Sequence, residues 1–265
     1  MVKKKLFFQD RVVIITGASS GIGRAAALSF AARNARVVLA ARNVERLEAV
    51  EREIRLQGGR AMVIKTDVRL FADTQRMADE TILKWGKIDI LIANAGEYIH
   101  DYSSEIDVGL FERSMDLNFF GTVNAVKSVL PEMRRNGSGH IVIVNSLDAK
   151  KGIIHDGPYV AAKSALDGFG DVLRQELKAE GVTVTSIYPA RVDTPMMEGV
   201  KAPWISPKMS PEKVVRGMLR GITKKKAIVI VPAAYFLLGS LNNMFPRLAD
   251  RIYRIFKIEG EKIEK

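Results

Sequence analysis

The sequence predicts an α/β fold in which helices cover both faces of a doubly wound, parallel β-sheet, giving three layers. Short runs of β-branched residues alternate with longer stretches of helical spacing along most of the chain. The runs are apolar throughout and do not alternate with polar residues, which is typical of strands buried on both faces. Because crossovers between parallel strands are right-handed, this pattern builds a doubly wound sheet.

About seven strands are predicted, and each rests on an apolar, β-branched run. They lie at residues 11–16, 35–40, 61–66, 88–93, 140–146, 182–188 and 227–231. The first reads RVVIIT and leads through a glycine-rich turn into an alanine-rich helix. Helices are predicted where apolar residues recur at helical spacing, at 24–34, 44–57, 72–85, 108–135 and 159–180. Two extra C-terminal helices are predicted at 233–241 and 246–258.

We expect residues 1–265 to form a single domain, because no repeat or low-complexity linker interrupts this pattern. Residues 190–210 contain prolines at 195, 203 and 207 and have no periodic pattern. An irregular substrate lid is therefore predicted there. Residues 232–265 form the predicted C-terminal helical extension.

The composition excludes several classes of function. The chain has no cysteine, which excludes disulfides and thiolate chemistry. Its histidines, His100, His140 and His155, lack the spacing of a zinc site, so no metal is expected. Three apolar residues follow the basic start of the chain, and the apolar stretch at 227–241 contains a proline. Neither a signal peptide nor a membrane span is expected, and we expect a cytoplasmic protein.

The net charge of +11 is concentrated near the C-terminus. Residues 201–265 carry 14 lysines and arginines against 5 acidic residues. This surface is either simply solvated or meets an anionic partner. Nucleic acid is not expected, because no recognised nucleic-acid-binding motif is present. In the last helix Leu248, Ile252, Ile255 and Phe256 share one face beside arginines. That pattern leaves peripheral membrane contact, a subunit interface and a pocket seal open.

A glycine-rich turn follows the first strand and opens the first helix. Gly17, Gly21 and Gly23 have the spacing G-x-x-x-G-x-G. Gly17 permits the tight turn, Gly21 lets the backbone approach a pyrophosphate, and Gly23 allows close packing of helix on strand. Because a helix N-terminus binds anions, this turn predicts a dinucleotide site on a Rossmann-type fold.

The end of the second strand favours NADP(H) over NAD(H). NAD-binding proteins usually place a carboxylate there to hold the ribose diol. Here that position is Ala41, and Arg42 follows it. A guanidinium pairs well with the 2′-phosphate of NADP(H). The alternative is that Arg42 is only solvated or stacks on the adenine.

Ser146, Tyr159 and Lys163 are the candidate catalytic residues. Tyr159 and Lys163 stand one helical turn apart and share a helix face. A nearby ammonium lowers the pKa of a phenol, so Tyr159 is predicted to exchange a proton with a substrate oxygen. Ser146 lies at the carboxyl end of the fifth strand, where open α/β sheets bind their ligands.

Together these motifs resemble the short-chain dehydrogenase/reductase family over residues 10–195. They follow the family's order: TGASSGIG at 16–23, Asp67 in TDV, the triplet Asn94-Ala95-Gly96, Asn118, the triad of Ser146, Tyr159 and Lys163, and Pro189 with Thr194. Two departures are mild, since Ala93 and Ala190 stand where the family often has asparagine and glycine. The cofactor site is expected to comprise Gly17, Ser19, Ser20, Gly21, Ile22, Gly23, Arg42, Asn43, Asp67, Val68, Asn94, Ala95, Gly96, Tyr159, Lys163, Pro189, Val192 and Thr194.

The resemblance implies an oxidoreductase that moves a hydride between NADP(H) and a carbonyl or alcohol. It implies that Tyr159 is the acid/base, Ser146 stabilises the oxyanion, and Lys163 lowers the pKa of Tyr159 and binds the nicotinamide ribose. It further implies that Asn118 holds a water of the proton relay, and that the protein is a homodimer or homotetramer. The alternative is an NADP-binding sensor without catalysis, and the four intact residues argue against it.

Substrate specificity in this family usually comes from two segments that here are residues 147–158 and 190–210. The candidate pocket residues are Leu147, Ile153, Ile154, Met196, Met197 and Trp204. Because they are mostly apolar, we expect a hydrophobic substrate. The alternative is that several of them only pack the lid onto the core.

Overall fold

Seven parallel strands form one sheet in the computed structural model, which describes residues 7–99, 106–200, 206–235, 242 and 244–256. In chain order they are β1 (Val12–Thr16), β2 (Arg36–Ala41), β3 (Arg60–Lys65), β4 (Ile90–Ala93), β5 (Gly139–Val144), β6 (Val182–Pro189) and β7 (Ile228–Val231). The order across the sheet is β3-β2-β1-β4-β5-β6-β7, and neighbouring strands are parallel. The predicted doubly wound sheet is confirmed, because the winding changes direction between β1 and β4.

Helices cover both faces of the sheet, as predicted. They are α1 (Gly21–Ala31), α2 (Val44–Leu56), α3 (Phe71–Trp85), α4 (Val108–Ser114), α5 (Gly121–Arg135), α6 (Gly157–Glu176), α7 (Pro211–Thr223) and α8 (Pro246–Ile255). One core lies between the sheet and α1, α2 and α7, and the other lies between the sheet and α3, α5 and α6. None of the helices in the described ranges is long and apolar enough to cross a membrane.

The central strand β1 explains why these strands lack a polar alternation. Val13 and Ile15 pack into the core beneath α1, whereas Ile14 packs into the opposite core. All three side chains are fully buried. Because successive side chains of a strand point to opposite faces, a strand covered on both sides is apolar at every position.

Helix α7 was not among the predicted elements, and this is one correction to the sequence analysis. Its buried residues Val214, Val215, Met218 and Leu219 recur with helical spacing. The proline-rich segment before it and Pro211 itself suggested irregular structure. Proline at the first helical position is nevertheless favourable, because the missing N–H would have no intrahelical partner there.

The long helix predicted at 108–135 is not regular. It consists of α4, a π-helical segment at Met115–Phe120, and α5. The helix predicted at 159–180 begins earlier, because Gly157 opens α6 and Pro158 occupies its first turn. It ends earlier too, and a 3-10 turn at Leu177–Glu180 follows.

The predicted C-terminal helices are described only in part. Of the first, predicted at 233–241, Ala233–Tyr235 forms a 3-10 turn, and residues 236–241 lie outside the described residues. Of the second, predicted at 246–258, α8 ends at Ile255 and residues 257–258 lie outside the described residues.

His140 is a buried titratable group in β5. Its Nε2 lies 2.8 Å from the Thr185 Oγ1 on β6, and that hydroxyl donates to the Lys226 carbonyl at 2.6 Å. Because the Thr185 proton is directed at the carbonyl, the imidazole must donate to Thr185, which selects the neutral Nε2–H tautomer. Burial lowers the pKa of His140 from 6.5 to about 4.

We expect His140 to make the protein less stable as the pH falls. The unfolded chain binds this proton at its ordinary pKa and the folded chain only near pH 4, so stability is lost below the unfolded pKa. Between pH 7 and pH 5 the loss should be about 2 kcal/mol, measured by urea unfolding. In His140→Gln the side chain presents an amide to Thr185 and does not titrate. The loss of stability between pH 7 and pH 5 should therefore be about 2 kcal/mol smaller in this variant than in the wild type. Equal losses in both proteins would contradict the assignment.

Candidate active site

Two adjoining cavities lie beyond the carboxyl ends of the strands. The larger, of about 330 Å³, contains the glycine-rich turn in its wall and is called the glycine-turn cavity. The smaller, of about 110 Å³, is called the tyrosine cavity because Tyr159 lines it. Asn94, Gly96 and Thr194 line both, so the two cavities share a wall. This is the position at which doubly wound sheets bind their ligands.

Most residues predicted to hold the cofactor line the glycine-turn cavity. They are Gly17, Ser19, Ser20, Gly21, Ile22, Arg42, Asn43, Asp67, Val68, Asn94, Ala95, Gly96 and Thr194. Tyr159, Lys163, Pro189 and Val192 line the tyrosine cavity instead. Gly23 packs α1 against the turn, because a Cβ there would lie 2.1 Å from the Gly17 carbonyl oxygen.

Hydrogen bonds between the ends of β1 and β4 hold the glycine-rich turn in place. The Thr16 Oγ1 accepts from the backbone N–H groups of Asn94 at 3.0 Å and Ala95 at 3.1 Å. The Asn94 Nδ2 donates to the carbonyls of Thr16 at 3.0 Å and Gly17 at 3.3 Å. Gly17 has a φ of +66°, and a Cβ there would lie 2.9 Å from the Ala95 Cα, so only glycine fits. We call this set of bonds the Thr16–Asn94 clasp.

The N-terminus of α1 borders the glycine-turn cavity and suits an anion. Ser20 at the N-cap makes no side-chain capping bond, and the first turn of α1 carries no acidic residue. The first N–H groups of a helix have no intrahelical partners, and the helix dipole is positive at this end. Phosphate groups bind well at such a terminus.

Two arginines also line the glycine-turn cavity. Arg42 and Arg46 both line it and are exposed. The Asn43 Oδ1 accepts from the Arg46 backbone N–H at 2.9 Å and so caps α2. The sequence analysis did not predict Arg46 as a site residue. Its position four residues after Arg42, in the first turn of the predicted helix, could have identified it.

Asp67 lines the same cavity but is not free. Its Oδ1 and Oδ2 accept from the Arg69 Nε at 3.0 and 3.2 Å. This pairing with Arg69 lowers the pKa of Asp67. Asp67 is therefore ionised and paired with Arg69, which does not itself line the cavity.

The predicted catalytic residues of the tyrosine cavity lie together. Tyr159 and Lys163 share one face of α6, and Ser146 follows β5. The Lys163 Nζ donates to the Val144 carbonyl at 3.1 Å and lies 5.6 Å from the centre of the Tyr159 ring. All three side chains are buried in the wall of this cavity.

The pKa of Tyr159 in the structure differs from the prediction made from the sequence. Burial raises the pKa of Tyr159 above 10, and the nearby Asp148 raises it further. Burial lowers the pKa of Lys163 to about 8. The predicted lowering of the Tyr159 pKa by Lys163 is thus not found in this structure, because the loss of hydration outweighs other influences on the phenol.

Asn118 is buried in the π-helical segment and lies in neither cavity wall. Its Oδ1 accepts from the Glu97 backbone N–H at 3.1 Å, and its Nδ2 donates to the Glu97 carbonyl at 2.9 Å. A Cβ on Gly96 would lie 2.6 Å from the Asn118 Oδ1 and 3.8 Å from the Lys163 Nζ. Asn118 therefore fixes the backbone directly beside Lys163.

The sequence analysis did not predict several polar residues that line the tyrosine cavity. They are Tyr98, Asp148, Asp156 and Arg191. The Ser146 Oγ donates to the Asp148 Oδ2 at 3.0 Å, and the Tyr98 hydroxyl donates to the Asp156 Oδ1 at 2.5 Å. Three of the four lie in the segments expected to set specificity, but only apolar residues were sought there.

The predicted apolar pocket is found in part. Ile153, Met196 and Met197 line the tyrosine cavity. Leu147 does not, because it lies between Ser146 and Asp148 in a tight turn that directs those two side chains to the cavity. Ile154 does not line it either and is 52% exposed. Trp204 lies outside the described residues.

Asn145 presents a buried donor in the tyrosine cavity. Its Oδ1 accepts from the Ser146 backbone N–H at 2.9 Å, while its Nδ2 has no hydrogen-bond partner among the described residues. A buried donor without a partner costs about 1–3 kcal/mol, which a polar ligand can offset. Together with the uncapped N-terminus of α1 and the closely packed Gly17, this donor fits a bound dinucleotide.

Comparison with known proteins identifies the family. The family model for short chain dehydrogenase matches residues 11–203. The chain is 32% identical over 253 residues to the fatty acyl-CoA reductase of Acinetobacter baylyi, covering 92% of this chain and 86% of the relative.

Solved structures agree with this assignment. A short chain dehydrogenase/reductase from Burkholderia phymatum in complex with NAD superposes with a TM-score of 0.82 at 23% identity, covering 91% of this chain and 95% of that one. Actinorhodin polyketide ketoreductase with NADPH superposes with a TM-score of 0.77 at 27% identity, covering 84% and 95%. The chain therefore belongs to the short-chain dehydrogenase/reductase family and is an oxidoreductase.

Proposed function

We propose that the protein transfers a hydride between NADP(H) and a carbonyl or alcohol group of a hydrophobic substrate. The observation that carries this proposal is that Ser146, Tyr159 and Lys163 line a cavity that shares a wall with the glycine-turn cavity. Proton-transferring groups thus adjoin the space that suits a dinucleotide. An oxidoreductase needs the cofactor and the proton-transferring groups to contact the same substrate.

The preference for NADP(H) rests on the charges around the glycine-turn cavity. Arg42 and Arg46 line it beyond Ala41, the position at which NAD-binding proteins carry a carboxylate. Two guanidinium groups without that carboxylate favour a 2′-phosphate. Because one structural relative binds NADPH and another NAD, the arginines carry this part of the proposal.

The nicotinamide, when bound, supplies the hydride in reduction and accepts it in oxidation. In reduction Tyr159 donates a proton to the substrate oxygen, and Ser146 donates a hydrogen bond to the developing oxyanion. The raised pKa of Tyr159 keeps the phenol protonated and ready to donate. Lys163, whose pKa is about 8, is mostly charged at neutral pH and stabilises the tyrosinate. Asn118 holds the Glu97 backbone beside Lys163, where a proton relay would pass.

The proposed substrate is a hydrophobic, lipid-like carbonyl compound or alcohol. Ile153, Met196 and Met197 supply an apolar part of the tyrosine cavity. The name of the Acinetobacter relative, fatty acyl-CoA reductase, supports a lipid-like substrate.

In this proposal the chain is one domain, residues 190–210 act as a lid and 232–265 as an extension. A hydrogen bond from the Lys208 Nζ to the Met197 carbonyl at 2.7 Å joins the two described parts of the segment 190–210.

A cofactor-binding sensor without catalysis is the alternative. Binding of NADPH without turnover of any carbonyl compound would favour it. Against it stands the presence of Asn118 beside Lys163, together with Ser146 and Tyr159. A sensor needs the glycine-turn cavity but none of these four side chains.

We propose self-association as a homodimer or homotetramer. Val108, Phe120 and Val172 are apolar and at least half exposed, on α4, the π-helical segment and α6. Burial of such side chains against a second copy would remove apolar surface from water.

We also propose that α8 contacts an anionic membrane surface, at a cytoplasmic location. Leu248 and Ile255 lie seven residues apart on one face of α8 and are 48% and 74% exposed. The helix also exposes arginines, namely Arg247, Arg251 and Arg254. Ala249 is buried, and Lys151 forms an ion pair with Asp250, so α8 is attached to the protein by another face.

Removal of either cavity arginine should weaken NADPH binding selectively. We expect Arg42→Ala and Arg46→Ala each to raise the Kd of NADPH about 10- to 100-fold, because a charge-assisted bond to phosphate is lost. The Kd of NADH should change little. Arg52→Ala removes an equal charge from α2 outside the cavity. If Arg52→Ala weakened NADPH binding as much, or if the wild type preferred NADH, the phosphate assignment would be wrong.

Removal of the Tyr159 hydroxyl should abolish turnover without abolishing binding. We expect Tyr159→Phe to lower kcat about 100- to 10,000-fold, the usual contribution of a general acid. The assay is the loss of NADPH absorbance with a panel of aliphatic and aromatic aldehydes and ketones. Tyr188→Phe is the control, since its hydroxyl bonds to Asp167 away from the cavities. A Tyr159→Phe protein as active as the control would refute the assignment.

Binding to anionic vesicles should depend on α8. We expect co-sedimentation with vesicles rich in phosphatidylserine at low salt and loss of binding at high salt. Replacing Arg247, Arg251 and Arg254 by glutamate should abolish it. The same replacement of Lys224, Lys225 and Lys226, which are exposed elsewhere, changes the net charge equally and should largely preserve binding. Equal loss in both triple variants would indicate only non-specific attraction.

A further inference from the structure

The turn after β5 brings a carboxylate against Ser146. The Ser146 Oγ donates to the Asp148 Oδ2 at 3.0 Å and accepts from the Asp148 backbone N–H at 3.2 Å. Both residues line the tyrosine cavity together with Tyr159. The 3-10 turn at Leu147–Ala149, which Ser146 caps, holds the two side chains in this arrangement.

The direction of this hydrogen bond limits what Ser146 can do. A serine hydroxyl has one proton and two lone pairs. When Asp148 is ionised, the proton points at the carboxylate and one lone pair takes the backbone N–H, so Ser146 offers the cavity only an acceptor. An acceptor suits a substrate alcohol, which has a proton to donate, and does not suit a carbonyl oxygen.

Protonation of Asp148 reverses this direction. A protonated carboxyl group can donate to the Ser146 Oγ, and the serine proton is then free to point into the cavity. Ser146 becomes a donor, which is what a carbonyl oxygen and its developing negative charge require.

We propose that Asp148 is a positioning residue that sets the hydrogen-bond direction of Ser146 and so determines the pH below which Ser146 can donate to the substrate oxygen during hydride transfer. This inference rests on the proposed function, because it acts through Ser146. It requires no reactant beyond those of the hydride transfer.

The surroundings of Asp148 bring its titration into a useful range. The titratable groups that act on it, or on which it acts, are Tyr98, Asp156, Tyr159, Lys163, Arg191 and Tyr253. Burial and the charge of Asp156 raise the pKa of Asp148 to about 6, while Ser146, Arg191 and Lys163 oppose the rise. Asp148 therefore changes its protonation state at a pH at which Tyr159 stays protonated.

The test is the pH dependence of kcat/KM in both directions, using the best carbonyl of the panel and its alcohol. As the pH rises through about 6, the wild-type value for reduction should fall about tenfold, because a donor is withdrawn from the substrate oxygen. The value for oxidation rises with pH in any case, because oxidation releases a proton. It should rise about tenfold less in the wild type than in Asp148→Asn, because both directions share one transition state. In Asp148→Asn the side chain does not titrate and its Nδ2 can donate to Ser146, so this step should vanish. Above the step the variant should reduce the carbonyl about tenfold faster than the wild type.

Asp156→Asn is the matched control. It removes a neighbouring charge but not the bond to Ser146, so the step should keep its size and move to lower pH. A purely structural role of Asp148 predicts instead that Asp148→Asn lowers kcat/KM at every pH and leaves the shape of the profile unchanged. That result would overturn the inference.

A second measurement needs no substrate. In protein labelled with carboxyl-¹³C aspartate, one resonance should titrate near pH 6, disappear in Asp148→Asn and shift in Asp156→Asn. Absence of such a resonance would also overturn the inference. If the resonance is present but the wild type turns over no carbonyl compound of the panel with NADPH, the proposed function fails. The effect of Asp148 on Ser146 is then supported, but no reaction is assigned to it.

Discussion

The site depends on the Thr16–Asn94 clasp at the point where the sheet changes its direction of winding. β1 and β4 are neighbours in the sheet, although 73 residues separate the end of one from the start of the other. Their loops diverge at this edge, and a cavity opens between them. The clasp satisfies the backbone groups of both loops with two side chains. It thereby joins the two loops beside Gly17, whose φ is positive.

The two cavities differ in the charged groups that line them. Arg42 and Arg46 line the glycine-turn cavity together with Asp67. Asp148 and Asp156 place two carboxyl groups in the wall of the tyrosine cavity. Lys163 and Arg191 line the same cavity, and the Lys163 ammonium can balance negative charge that develops there. Burial, Asp148 and Asp156 all raise the pKa of Tyr159, so its protonation depends on residues from several elements.

The parts of the fold that could be predicted are those with a one-dimensional signal. The strands were found because burial on both faces makes each of them a continuous apolar run, as Val13, Ile14 and Ile15 illustrate. The wall of the glycine-turn cavity could be predicted in part because the turn at Gly17 has a fixed spacing. Helix α7 was missed because prolines precede it and obscure its helical spacing.

Other features depend on distance in space and could not be predicted. Asp148 acts on Tyr159 from a different element, and no sequence spacing encodes that approach. The pKa of Tyr159 was predicted from its neighbour on the helix, Lys163. In the folded protein the loss of hydration decides it, and burial of a polar site residue is not visible in the sequence.

The π-helical segment at Met115–Phe120 has a consequence for how the chain can vary in length. A π-turn contains one more residue than an α-turn, and this extra residue lies where Asn118 bonds to Glu97. Deleting a single residue here would remove the bulge and convert the segment to a regular α-helix, which changes the direction of the side chains within it. Asn118 would then leave Glu97, although no site residue had been changed. The number of residues in this stretch is therefore as constrained as the identity of Asn118.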